Sequence, residues 1–159
     1  MIRRTSLIAL AASALLAACA TTPAPAPLAD TLARDPQLST FNRLVAQAGL
    51  ADELRASGPL TVFAPSDEAF KAVPAKTMEA LAADPAQLKA VLNYHVIDGR
   101  MAAADVRLGG AKSHQGANLA LAKAGGFITV DDAVVQQADI VATNGVAHVI
   151  DRVLMPPKK

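Results

Sequence analysis

The reactive repertoire of this 159-residue chain rests on few side chains: three histidines, one tyrosine and one cysteine. His148 sits in an apolar run three residues before Asp151. A histidine and a carboxylate so close in sequence invite a general-base reading. Strand alternation argues against it. Val146, His148 and Ile150 would share one face, with Ala147, Val149, Asp151 and Val153 on the other, so the ring and the carboxylate point apart. A histidine between two branched aliphatic residues is expected to be a partly buried ring satisfied by backbone hydrogen bonds. The functional alternative is a contact at the sheet surface. His95 follows Tyr94 where a helix gives way to a strand, and is expected to bond a neighbouring loop. His114 is expected to be exposed. The histidines lack ligand spacing such as His-x-x-x-His, so no metal site and no cofactor is predicted.

Other stretches imitate motifs without completing them. Residues 109–113, Gly-Gly-Ala-Lys-Ser, look like a phosphate loop, but Ala111 breaks the Gly-Lys-Ser order and the upstream glycine is misplaced; a plain loop is expected. No serine stands in Gly-x-Ser-x-Gly. Asp67 and Glu68 are adjacent, and neighbours on a helix project apart; their place in a first turn explains them. Asp131-Asp132 reads as a turn, with a weak cation site as the alternative. These patterns predict a protein that is not an enzyme.

The elements that would position these residues change character along the chain. Asp35-Pro36 starts a helix whose inner face is Leu38, Phe41, Leu44, Val45 and Ala48, and Gly49 stops it. Leu60 to Ala64 reads as a buried strand ended by Pro65, after which Ser66 caps a new helix. Pro74 restarts a helix to about Ala82, and Asp84 opens another carrying Leu88, Val91 and Leu92 on one face. Beyond Gly99, short apolar runs at residues 119–121, 127–130, 133–135, 140–143 and 146–154 alternate with turn residues. Asn144-Gly145 is the strongest hairpin signal, because tight two-residue turns favour positive φ. Helices first and strands later indicate an α+β fold.

The first 18 residues are set apart. Arg3 and Arg4 precede an apolar segment, residues 7–16, and small residues follow: the build of a signal peptide. Whether export is general or through the twin-arginine route is open. "LAAC", residues 16–19, resembles the lipobox of bacterial lipoproteins, which implies that Cys19 is lipidated and becomes the new N-terminus. Ala20, where an aspartate would signal inner-membrane retention, favours the outer membrane, with the chain exported to the cell envelope. Residues 19–27 then form a lipidated cysteine and a Pro/Ala tether. Without its leader the formal charge moves from +1 to about −1. With no Trp and no basic patch, nucleic acid is not an expected partner.

"TVFAPSDEAF" (61–70), "NYHVI" (93–97) and "NGVAHVIDRVLMP" (144–156) together resemble the fasciclin (FAS1) domain family. "VVQQADI" (134–140) looks like the family's preceding strand pair with one extra Gln. The resemblance covers residues 28–156, leaving 157–159 as a C-terminal tail. It implies a wedge-like β-sandwich of about seven strands with several helices packed beside it. It also implies adhesion, or binding to an envelope or extracellular protein, matrix or glycan, with carriage of a small apolar ligand such as a lipid or carotenoid as the alternative. Tyr94 and His95 carry over as partner-binding candidates, and Asn144, Gly145 and His148 as a structural motif.

Overall fold

The computed structural model describes residues 24–157. The expected signal peptide, Cys19 and most of the tether lie outside the described residues. Six helices and seven strands follow in order: α1 (Leu28–Ala33), α2 (Ser39–Gln47), α3 (Ala51–Ala56), β1 (Leu60–Pro65), α4 (Asp67–Lys71), α5 (Ala75–Ala83), α6 (Pro85–Tyr94), β2 (Val96–Asp98), β3 (Gly109–Lys112), β4 (Asn118–Ala124), β5 (Phe127–Val130), β6 (Ala133–Ala142) and β7 (Gly145–Ile150). The α+β wedge is observed.

Helix starts follow side-chain chemistry. Asp35 accepts the Gln37 N–H to open a 3-10 turn at Pro36–Leu38, Ser66 accepts from Ala69, and Asp84 accepts from Ala86 and Gln87. Helix α2 has no such residue of its own, since Leu38 precedes it. Asp67 of α4 supplies the cap from outside, accepting the Ser39 hydroxyl at 2.6 Å and the Thr40 N–H at 2.8 Å. Gly49, at φ 71°, ends α2 as expected.

The strands form one sheet in the order β2-β1-β7-β6-β5-β4-β3. Among the described residues only β1 and β7 pair in parallel. A bridge between Ile97 and Ser113 brings the outer strands β2 and β3 together, so the sheet is nearly closed. Two cores result. Val62 and Ala64 of β1 and Ala147 and Val149 of β7 face the helices, packing with Leu28, Phe41 and Leu88. Phe63 and Ile150 point the other way, into the curled sheet with Leu119, Leu121, Ile128 and Val130. Alternation along β7 therefore holds, but a central strand buries both faces.

Four expectations are corrected. Residues 133–135 and 140–142 are not separate strands but parts of β6, with Thr143 just beyond it, and register shifts near Gln137 absorb the extra residue. The last strand stops at Ile150 rather than running to Leu154. Residues 109–112 form β3 rather than a loop, because they pair with β4. The final hairpin is present, but Ala142 pairs with Gly145, so its turn is Thr143-Asn144, and neither Asn144 nor Gly145 has positive φ. Gly145 is needed for closeness instead: a Cβ there would lie 2.0 Å from the Leu60 carbonyl oxygen.

Candidate functional site

Helix α6 ends at Tyr94, and the turn into β2 drives both motif rings inward. Tyr94 is 4% exposed and His95 0%. His95 lies against Phe41 of the helix-side core. Its Nδ1 donates to the Val91 carbonyl at 2.8 Å, and its Nε2 accepts the Leu154 N–H at 3.0 Å. The carbonyl partner fixes the tautomer as Nδ1–H. The ring thus joins α6 to the segment after β7. Burial pushes its pKa down to about 4, so it stays neutral near pH 7.

Tyr94 turns to the other core. Its hydroxyl donates to Asp131 Oδ2 at 2.7 Å, and Asp131 Oδ1 accepts the Ala120 N–H at 2.7 Å. Asp131 holds this pose at φ 51° in the β5–β6 turn. Burial, reinforced by the Asp131 carboxylate, raises the phenol above its ordinary value. The phenol is a proton donor to the fold, not a base. The cleft over it, about 650 Å³, is lined by Asp131, Asp132, Arg152 and Leu154 among others.

His148 is 1% exposed and stacks on Phe63, ring centroids 5.5 Å apart. Its Nε2 donates to the Met101 carbonyl at 2.8 Å, and its Nδ1 accepts the Asp139 N–H at 3.2 Å. It is therefore the opposite tautomer from His95. Burial again lowers the pKa. The backbone bonding expected of His148 is observed, and so is the separation from Asp151, whose carboxylate accepts the Val134 N–H. Asp139, at φ 58° in the β6 irregularity, accepts the Ala103 N–H as well. His148 and Asp139 thus pin the loop before β3 to the sheet. His114 stands apart, bonded to Asp98 at 2.6 Å.

Asn144 is the most connected polar residue of the site. Its Nδ2 donates to the carbonyls of Leu54 at 2.7 Å and Ser57 at 2.8 Å, with a longer contact of 3.3 Å to Arg55, and its Oδ1 accepts the Leu28 N–H at 2.7 Å. One side chain ties α1, the end of α3 and the β6–β7 turn.

The structure does not converge the sequence-chosen rings: His95 and His148 occupy different cores. Tyr94 and His95 have almost no surface to offer a partner, which corrects the picture of a contact patch made from their side chains. Asp131 and Asp139 were missed as organising residues. Two aspartates beside a turn gave a signal for the first; nothing in the sequence marks the second.

A model of the Fasciclin domain matches residues 36–156. Protein sll1483 of Synechocystis is 44% identical over 123 residues, covering 74% of this chain and 68% of that protein. Protein sll1735 of the same organism is 41% identical over 122 residues, covering 76% and 91%. Among solved structures, a FAS1 domain pair from the insect cell adhesion molecule fasciclin I is similar, with a TM-score of 0.63 and 26% identity over 77% of this chain and 46% of that one.

Proposed function

This chain belongs to the Fasciclin domain family, and on that premise we propose that it is an exported, non-catalytic adhesion or protein-binding module held at the bacterial cell envelope by a lipid on Cys19. One observation carries the non-catalytic part. Tyr94, His95 and His148 each spend their polar atoms on the scaffold, at 2.7–3.2 Å, and both histidine tautomers are set by backbone partners. A nucleophile or base needs an atom free to meet a substrate. The adhesion part draws on the similarity to a domain pair of a cell adhesion molecule. The anchor draws on the leader and the "LAAC" segment. Acyl chains contribute about 0.8 kcal/mol per buried methylene, and two or more give stable attachment.

Cys19→Ser tests the anchor. The variant is expected in the soluble fraction while the parent stays with membranes through a high-salt wash; a variant still membrane-bound sinks the anchor. Removing the protein from producing cells is expected to weaken their attachment to a surface, and unchanged attachment would sink the adhesion role.

A second reading has its own observation. Helices α5 and α6 and the C-terminal segment border a groove of about 710 Å³ whose lining is mostly apolar, with Leu81, Val91 and Met155, and has Lys76, Thr77 and Gln87 among it, a size that suits an apolar small molecule with a polar end. Carriage of a lipid or carotenoid would leave an extractable ligand on protein purified from its own host. A bare protein with no visible absorption excludes it.

A further inference from the structure

The outward face of strands β3, β4 and β5 has a composition that the fold does not explain. Leu119, Leu121, Ile128 and Val130 fill the curled core, so their neighbours point out. Cross-strand register sets Gly110 beside Ala120, Ala122 beside Thr129, and Ala124 beside Phe127. Leu108, just before β3, continues that outward row. The two largest apolar side chains here are almost wholly in water, Leu108 at 87% and Phe127 at 71% exposed. Strand spacing puts them about 12 Å apart on a bed of small residues.

Charge is divided in the same way. Residues 106–130 contain no carboxylate and carry Arg107, Lys112 and Lys123. Lys112 shares the outward face, Arg107 adjoins Leu108, and Lys123 sits at the rim, bonded to the Ala103 carbonyl. Residues 28–98, which supply the helices, hold nine carboxylates against six cations. The carboxylates nearest in sequence are the exposed Asp105, before Arg107, and Asp131 and Asp132 in the β5–β6 turn, of which Asp131 is engaged by Tyr94 and Ala120.

We infer that this face docks on an anionic lipid surface, with Leu108 and Phe127 entering the headgroup region and Arg107 and Lys112 meeting lipid phosphates. Protruding apolar side chains ringed by cations are the signature of interfacial binding. Area argues against a second copy: β3, β4 and β5, of four, seven and four residues, offer roughly 250 Å², against about 800 Å² per partner in a stable protein interface. Position agrees. Ala24 and Pro25 lie beside Gln137 and Ile140 of β6, the strand that borders this wing. From Cys19 to Ala24 the chain spans at most about 18 Å. The inference rests on the proposed envelope location for the presence of a bilayer, and on the face itself for its orientation.

The chain has no tryptophan, so single indoles report cleanly. Full-length Phe127→Trp and Glu79→Trp, the latter on α5, are mixed with vesicles of brominated phosphatidylcholine with and without phosphatidylglycerol. The N-terminal segment is common to both variants, so the comparison reads which face meets lipid. Quenching at 127 is expected to be at least about twofold stronger than at 79 with the anionic lipid, and to weaken without it or in high salt. Leu108→Gln in the Phe127→Trp background is expected to reduce it. Equal quenching at both positions, or none at 127, overturns the inference. So does a concentration-dependent blue shift at 127 without vesicles, which would mean self-association. Because Cys19→Ser fractionation reads the anchor separately, failure of one leaves the other standing.

Discussion

Replacing Asn144 should cost more than any other single polar change in the described residues. Its side chain makes three short hydrogen bonds, two donated to Leu54 and Ser57 and one accepted from Leu28, plus the longer contact to Arg55. At about 1 kcal/mol net for each short bond the loss is about 3 kcal/mol. The orphaned Leu28 N–H adds to this, and water reaching the half-buried site offsets part of it, so Asn144→Ala is expected to destabilise by about 2–4 kcal/mol. For a domain of this size that lowers Tm by roughly 10 °C. Asn144→Asp sharpens the test. It keeps the acceptor for Leu28 but turns an oxygen toward the Leu54 and Ser57 carbonyls, so it should cost at least as much as alanine despite its matching shape. Urea unfolding followed by far-UV circular dichroism measures both. A loss below about 0.5 kcal/mol for alanine, or aspartate tolerated better than alanine, would refute the idea that these donors join three elements.

Gly145→Ala should cost more than about 4 kcal/mol or prevent folding, because its Cβ meets the Leu60 carbonyl oxygen at 2.0 Å. Gly125→Ala, at φ 60° with open space around it, should cost only about 1–2 kcal/mol; equal melting temperatures for the two variants would contradict the packing. His95 and His148 titrate lower in the folded state than their ordinary 6.5, His95 near 4. The unfolded chain therefore binds more protons below pH 6.5. The contribution of His95 is complete above that value and drains away as pH falls toward 4, and that of His148 is likewise lost as pH falls below its ordinary value, with a limiting slope of about 1.4 kcal/mol per pH unit for each ring. Equal urea midpoints at pH 7 and pH 5 would refute this, and long-range proton–nitrogen spectra should show Nδ1–H for His95 and Nε2–H for His148. Tyr94 is the only tyrosine, and its phenol is raised by burial and Asp131. Phenolate absorbance should therefore appear in alkali only as the protein unfolds; a smooth titration near pH 10 would show a free hydroxyl.

Local chemistry in the sequence reached the helix starts, since Asp35, Ser66 and Asp84 cap through bonds to residues two or three away. The buried fate of His148 was legible because its neighbours are apolar. What escaped depends on distant partners. Helix α2 takes its cap from Asp67, far along the chain. Gly145 is dictated by the Leu60 backbone rather than its own torsion. The break in β6 at Asp139 answers to His148 and Ala103. Short α1 and α3 gave little periodicity to read. Tyr94 and His95 looked available because a motif shows residue types, while burial is decided by how α6 meets the sheet.

The parallel pairing of β1 with β7 sets the order in which this protein can be completed. Residue 60 finds its register partner only at residue 145. Until β7 arrives, β1 keeps a bare edge, and the helix-side core lacks Ala147 and Val149. Pairings so remote are slow to close. A chain under synthesis therefore carries its first three helices and the start of β1 for more than eighty residues before the strand that locks them to the sheet exists.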